Sequence, residues 1–210
     1  MKNTRTFTLT AMFLGILLLL AFTPLGFIPI GPINATTMHI PVIIASIILG
    51  PKIGGFLGGT FGIISIIRAT IFPNATSFVF SPFIPVIGTN SGDLRSLIVA
   101  IVPRILIGIV PYYAFKLLNH WFKAKGQPAS LFIAGLLGSI TNTILVMNLI
   151  FFLFRDAYAQ ATGTGVDVLY GAILGIIFTA GIPEAIVAGL ATAGVAAVLL
   201  RLMRKNPTQL

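Results

Sequence analysis

The chain has 210 residues, of which 57% are hydrophobic and 8% are charged, and its mean hydropathy is +1.05. A soluble domain of this length does not need so much apolar surface, so the composition indicates a helical membrane protein with several spans. The net charge is +9, and most basic residues lie at one set of segment ends, as the positive-inside rule describes, which argues against a nucleic-acid-binding face. The lack of cysteine excludes disulfides and thiolate metal sites.

The first span is predicted from Arg5 to Phe22, where Ala11 and Gly15 form a pair of small residues four positions apart. Such a pair lets two membrane helices approach closely. An irregular segment at 23–36, rich in proline and glycine, is expected to pack back over the outer end of the bundle. The second span, 38–48, is shorter than the roughly 20 residues that cross a bilayer, so we expect it to begin below the surface, beneath that loop.

The stretch from 36 to 62, TTMHIPVIIASIILGPKIGGFLGGTFG, holds the most informative pattern in the chain. Gly50-Pro51-Lys52 interrupts two apolar runs and predicts a tight turn, because glycine can end a helix and proline cannot continue one. The third span, 52–71, carries Gly54, Gly58 and Gly62 along one stripe, which predicts close packing against a neighbouring helix.

A second outer loop is predicted at 72–94, where Phe78 and Phe80 lie among phenylalanines and prolines. This composition fits a lid over a membrane cavity or an interfacial aromatic belt. Spans four, five and six are predicted at 95–118, 129–154 and 182–203, with an outer loop at 155–167 and a re-entrant or interfacial segment at 168–179. The prediction is thus one all-α membrane domain, 1–210, with six transmembrane helices and both termini cytoplasmic.

Polar side chains inside the predicted spans are the candidates for function, because an ion in the hydrocarbon core is costly unless it is paired or faces water. Arg104 lies deepest, and Glu184 could neutralise it in a purely structural pair or leave it to bind an anionic solute. His39 stands at the start of a helix, where it could simply satisfy backbone groups. In span five, Asn148 shares a helical face with Thr141, and a second polar pair, Ser139 and Asn142, shares another.

Motifs of catalysis and energy coupling are missing from the sequence. It contains no Walker motif, HExxH, nucleophile elbow or paired carboxylates at a useful spacing. We therefore expect no enzyme activity, no catalytic residue and no metal or cofactor, and the chain cannot itself drive transport with ATP.

The 38–62 pattern, the segment FVFSP at 78–82 and the late GIPEAIVAG at 181–189 together resemble the substrate-binding S components of energy-coupling factor (ECF) vitamin transporters. The resemblance covers nearly the whole chain. It implies a prokaryotic plasma-membrane protein that captures a vitamin and docks on a membrane coupling subunit driven by two ATPase subunits. In that family an AxxxA pattern on span one meets the coupling subunit; Ala11 and Gly15 match it with glycine in the second place.

The resemblance also implies a binding site built from outer loops and the outer halves of spans four to six. The matching positions are His39, Phe78, Phe80, Arg104, Asn148 and Glu184. The MHIP and FSPF elements are similar to the pantothenate, pyridoxine and hydroxymethylpyrimidine carriers, and the arginines favour pantothenate because it carries a carboxylate. The alternatives from other classes are a structural or assembly protein without a solute site and a self-sufficient secondary transporter.

Overall fold

The structure, a computed structural model, describes residues 2–30, 33–122 and 126–205. This part of the chain is almost entirely helical. The elements in order are α1 (Lys2–Phe22), β1 (Phe27–Ile30), β2 (Ile33–Thr36), α2 (His39–Leu49), α3 (Pro51–Ile71), α4 (Arg95–Ile107), α5 (Val110–Phe122), α6 (Gln127–Thr162), α7 (Leu169–Ile176) and α8 (Ile182–Lys205).

The predicted helical membrane bundle is confirmed. Within the described residues, 5 helical stretches are long and apolar enough to cross a membrane, and the shorter apolar helix α2 is the sixth member. The first three predicted spans match α1, α2 and α3 to within a few residues. Many large apolar side chains remain exposed on the outside of the bundle, Phe7 and Phe152 at 75% and 74% among them, as expected for a surface that faces lipid.

The turn between α2 and α3 forms where the sequence predicted it. Gly50 has φ 93°, a conformation that suits glycine, and Pro51 opens α3. The glycine stripe that follows lies directly against the backbone of α4. A side chain at Gly58 would overlap the carbonyl group of Arg104, and one at Gly62 would lie 2.9 Å from the carbonyl oxygen of Ala100. The missing side chains therefore allow α3 and α4 to pack at backbone distance.

The predicted fourth span is interrupted near its middle. α4 ends at Ile107 and α5 begins at Val110, with a turn between them. Pro111 cannot donate a backbone hydrogen bond to Ile107, and Gly108 approaches Gly54 so closely that a side chain there would overlap the Gly54 carbonyl group. The break thus combines a missing hydrogen bond with the closest contact between α3 and this span.

The outer loop predicted at 155–167 is wrong over most of its length, because α6 continues to Thr162. The continuation follows a kink at Phe154, which has φ −135° and ψ 24°, and the helix ends at Gly163 with φ 65°. Only the short connection from there to α7 remains a loop. The polar composition of this stretch reflects an exposed helical surface, which sequence reasoning mistook for a loop.

The segment 168–179 does not form a separate element but continues into the last span. α7 passes through a π-helical turn, Ile177–Gly181, into α8, so that Leu169–Met203 forms one apolar stretch of 35 residues. Pro183 explains the wide turn, because its ring would clash with the carbonyl group four residues earlier and it has no N–H to donate to it.

Before α2, Pro24–Gly26 forms a 3-10 turn, and β1 and β2 pair as an antiparallel hairpin with Phe27 opposite Thr36, an addition to the predicted all-α fold. Residues 72–94 join α3 to α4 at the same end of the bundle and contain a 3-10 turn, Ser77–Val79. We call this end the hairpin end. Residues 1, 31–32, 123–125 and 206–210 lie outside the described part, and the cytoplasmic position of the termini stays a prediction.

Candidate functional site

Arg104 is buried in α4 and anchored by its own helix. Pro103 has no N–H group, which leaves the Val99 carbonyl oxygen without its usual helical partner. The Nη1 atom of Arg104 donates to that oxygen at 2.9 Å, so the side chain extends toward the hairpin end. Arg104 is only 7% exposed, and its Nε atom has no hydrogen-bond partner in the described structure.

Two aromatic rings frame the guanidinium group. Its central carbon lies 5.2 Å from the ring centre of Phe80 and 5.5 Å from that of Phe61, both within the range of cation–π attraction. Phe80 comes from the loop at 72–94, so this loop covers the arginine from the hairpin end. Phe78, predicted beside Phe80, instead packs edge-on against Phe154 at 5.9 Å in a separate hydrophobic cluster.

His39 and Glu184 form a second polar group beside the hairpin. His39 Nδ1 lies 3.3 Å from Glu184 Oε1, without the alignment of a hydrogen bond, and both ring nitrogens of this buried histidine lack a hydrogen bond within the described residues. The same carboxylate oxygen accepts a hydrogen bond from the Thr36 backbone N–H at 3.3 Å. Glu184 therefore ties the last residue of the hairpin to the first turn of α8.

The structure does not bring Arg104 and Glu184 into a direct ion pair. Among the described residues, no carboxylate oxygen lies within 4 Å of the Arg104 guanidinium group. The other arginines near this end are engaged elsewhere: Arg95 pairs with Asp93, and Arg68 donates to the Ala21 carbonyl oxygen at 2.9 Å. Arg104 is thus the buried cation that lacks an adjacent counter-ion.

The two polar faces predicted on α6 have different surroundings in the structure. Asn148 donates to the Ile144 carbonyl oxygen of its own helix at 2.8 Å and lies on the exposed side together with Thr141. It does not join the cluster of His39 and Glu184. Asn142, on the opposite face, is 7% exposed, and its Oδ1 atom has no hydrogen-bond partner among the described residues.

The sequence contained some signal for the neighbours of Arg104 and His39 that were not chosen as candidates. Asn142 follows the small residues Gly135 and Gly138 at helical spacing, which marks the buried face of α6. Pro103 immediately before Arg104 indicated a free carbonyl group one turn earlier. Nothing local in the sequence pointed to Phe61 as a ring over Arg104, because that contact depends on how α3 meets α4.

Ala11 and Gly15 lie apart from these groups, on α1. Phe13 and Leu17 of the same helix are buried in the core, whereas Ala11 is exposed, and a Cβ atom at Gly15 would meet nothing within 4 Å. Close packing within this chain does not require these small residues.

The family model for the substrate-specific component of ECF transporters matches residues 5–196. The chain belongs to this family. A protein named pantothenic acid transporter PanT, from Lactococcus lactis subsp. cremoris (strain MG1363), is 40% identical over 170 residues, which cover 81% of this chain and 80% of the relative. A protein named pantothenate transporter PanT, from Leuconostoc mesenteroides subsp. mesenteroides (strain ATCC 8293), is 29% identical over 209 residues, with 95% and 94% covered.

The fold agrees with a solved structure of an ECF substrate-specific component. The biotin S component of an ECF-type ABC transporter, determined in a crystal at 2.1 Å, superposes with a TM-score of 0.58 over 95% of this chain and 93% of that chain, at 20% identity. This ECF component is therefore a multi-pass membrane protein and not an enzyme. As the substrate-specific part of a transporter, it works with a membrane and ATPase module and takes up a small solute.

Proposed function

We propose that this chain is the pantothenate-binding subunit of an ECF importer. The observation that carries the proposal is Arg104, a buried guanidinium group without an adjacent carboxylate among the described residues, framed by Phe61 and Phe80. A buried charge without a counter-ion is costly, so a bound anion would complete the site. Two relatives bear the names of pantothenate transporters, and pantothenate carries a carboxylate.

The remaining contacts are assigned by chemistry. Pantothenate also carries an amide and two hydroxyl groups, which need hydrogen-bonding partners in a dry site. The unpartnered ring nitrogens of His39 and the Glu184 carboxylate supply such partners. Phe80 closes the site over the carboxylate end, while Phe78 supports that loop from the neighbouring cluster. Asn148 is left out of the proposed site because it faces away from this group.

The proposed partners are a membrane coupling subunit and two ATPase subunits. The chain has no nucleotide-binding motif, so the energy for uptake must come from outside it. We assign docking to Ala11 and Gly15, because they are the small residues on α1 that face away from this chain's core. Family membership argues against a purely structural protein and against a self-sufficient secondary transporter.

The direct test is to purify the detergent-solubilised protein and identify the small molecule that travels with it by native mass spectrometry. The expected result is a mass increase equal to one pantothenate, and saturable binding of pantothenate in calorimetry after the ligand is washed out. Co-purification of pyridoxine or hydroxymethylpyrimidine would replace the substrate, since both are vitamins without a carboxylate. Absence of any ligand, together with no binding of these three compounds, would reject the proposal.

Import also requires the site to face outward, and the charge pattern supports a hairpin end outside the cell and both termini in the cytoplasm. The chain offers no background thiol, so single cysteines report cleanly. In intact cells, Asp156→Cys should react with a membrane-impermeant maleimide, and Trp121→Cys should react only after the cells are opened. Both side chains are exposed, so accessibility within the protein does not limit the reaction. The reverse labelling pattern would place the proposed site on the cytoplasmic side and contradict capture from outside.

A further inference from the structure

Asn142 is the buried amide that the proposed contacts leave unexplained; Asn119 Oδ1 also lacks a partner among the described residues, but Asn119 is only half-buried and lies near the end of α5 away from the hairpin. It is 7% exposed in the middle of α6, and its Oδ1 atom is fully buried without a hydrogen-bond partner among the described residues. Leaving a buried acceptor unpaired costs free energy that an apolar residue of similar size would not cost. We therefore expect the Oδ1 atom of Asn142 to have a hydrogen-bond partner in another state of the protein.

Two other buried polar side chains without partners, Ser46 and Thr192, have an ordinary explanation. Both lie at tight helix crossings, next to Gly54 and Gly135. A hydroxyl group can rotate and donate to the carbonyl group one turn earlier in its own helix. The Oδ1 atom of Asn142 can only accept, and the carbonyl groups of a helix offer it no proton. Its partner must come from outside α6.

Close contacts between helices fix the height of Asn142 in the bundle. A Cβ atom at Gly138 would lie 3.0 Å from Ile43 Cδ1 of α2. Because α2 and α6 run in opposite directions, one turn toward the hairpin end leads from Gly138 to Asn142 and from Ile43 to His39. Gly181, the last residue of the π-helical turn before α8, meets Thr143, the residue after Asn142, and Glu184 follows on α8 within one turn. Asn142 therefore lies at the level of His39 and Glu184.

The Arg104 guanidinium group reaches the same region from α4. A Cβ atom at Gly54 would meet both Ser46 of α2 and Gly108, and one at Gly58 would meet the Arg104 carbonyl group. Gly58 is four residues from Gly54 toward the hairpin end, so the Arg104 backbone is level with Val42 and lies about 4.5 Å deeper than His39 at 1.5 Å per residue. The Arg104 side chain extends back toward the hairpin end to reach the Val99 carbonyl oxygen. The site thus has a cation from α4 and a hydrogen-bond acceptor from α6 near one level of the bundle.

We propose that Asn142 is a specificity-determining residue whose Oδ1 atom accepts a hydrogen bond from a hydroxyl or amide N–H group of the bound solute. The proposal rests on the proposed function and adds the orientation of the ligand. The anionic group lies at Arg104 of α4, and the donor group points toward Asn142 of α6. The substrate class is then an anion that carries a hydrogen-bond donor apart from its charged group. An anion without that donor leaves Oδ1 unpaired and binds weakly.

The test is a binding cycle that varies the protein and the ligand together. Wild type, Asn142→Leu and the control Thr141→Val are titrated with pantothenate, with its analogue lacking both hydroxyl groups, and with its analogue carrying an ester in place of the amide. Asn142→Leu is expected to weaken pantothenate binding by roughly 10- to 100-fold. One of the two analogues should bind wild type more weakly than pantothenate does, by a similar factor. The same analogue should bind Asn142→Leu no more than about 3-fold more weakly than pantothenate does. Thr141→Val should bind like wild type, since Thr141 donates to the Leu137 carbonyl oxygen on the exposed face.

Thermal unfolding without ligand distinguishes an effect of Asn142→Leu on binding from an effect on the stability of the fold. This measurement does not depend on the identity of the solute. Asn142→Leu should melt at the same temperature as wild type or higher, because it removes an unpaired buried acceptor. A lower melting temperature, or equal losses for both proteins with both analogues, would overturn the assignment of Asn142. Failure of the wild-type protein to bind pantothenate would instead overturn the proposed substrate. An unchanged or raised melting temperature of Asn142→Leu would then still support a side chain that faces a ligand.

Discussion

Replacing Arg104 with alanine is expected to weaken pantothenate binding by about 2–4 kcal/mol, roughly a 30- to 1000-fold rise in Kd. The reason is that a carboxylate held in a dry site by a guanidinium group makes a charge-assisted hydrogen bond that water cannot replace once the loop has closed. Arg104 meets the conditions for such a bond, since it is buried, preoriented by the Val99 carbonyl group and covered by Phe80. Isothermal titration calorimetry on the purified protein measures the effect.

Arg95→Ala is the matched control for this substitution. Arg95 opens the same helix, but it is exposed and already paired with Asp93 in the adjoining loop. Its removal should leave pantothenate affinity within about 2-fold, because an exposed ion pair contributes little. Arg104→Lys should recover only part of the lost affinity, since an ammonium group lacks the planar pair of donors that matches a carboxylate.

The alternative is that Arg104 serves the fold by neutralising Glu184 at a distance. Each single substitution would then lower the melting temperature, and the double variant Arg104→Leu/Glu184→Leu would restore both stability and binding. The geometry argues against this reading, because Glu184 lies beside His39 and Thr36. Unchanged affinity in a well-folded Arg104→Ala protein would remove the carboxylate argument and favour a vitamin without a negative charge, such as pyridoxine.

The sequence predicts the helices and the α2–α3 turn well because their causes are local. A run of apolar residues gives a span, and Gly50-Pro51 ends one helix and starts the next wherever it lies in a membrane bundle. The glycine stripe on α3 predicts close packing for the same reason, although it does not name the partner helix. The kink at Phe154 and the π turn before Pro183 are less accessible, because a helix can absorb either without changing its composition.

The site was only partly predictable, because it depends on which face of each helix turns inward. Arg104, His39 and Glu184 could be chosen because burying an ionisable group in a membrane span costs free energy, which makes such a residue a candidate for function. Asn148 and Asn142 are neutral amides on the same helix, and this free-energy cost does not distinguish them. Their surroundings differ because Gly138 and Gly135 turn the Asn142 face against α2, α5 and α8, whereas Asn148 lies one and two-thirds turns further along, on the exposed side.

The double substitution Ala11→Leu/Gly15→Trp should prevent assembly with the coupling module while leaving pantothenate binding unchanged. Bulky side chains at a close helix contact cost about 1–3 kcal/mol each, so two of them should weaken docking by roughly 30-fold or more. Within this chain the same changes cost little, because Ala11 is exposed and a Cβ atom at Gly15 meets nothing within 4 Å. Co-purification of ATPase subunits on a tagged chain, and uptake of labelled pantothenate by cells, measure the result.

Gly175→Trp provides the control for docking, because it too is a helical glycine whose Cβ would meet nothing within 4 Å, and it also has a small residue, Gly171, one turn before it. It lies on α7, near the hairpin end, rather than on α1. If α1 carries the contact, the ATPase subunits should co-purify with Gly175→Trp and be lost from the α1 variant, since only α1 needs bare backbone for its partner. Loss of the ATPase subunits from Gly175→Trp but not from the α1 variant would move the docking face to α7. A complex that survives both sets of substitutions would show that docking does not depend on close approach at either pair of small residues.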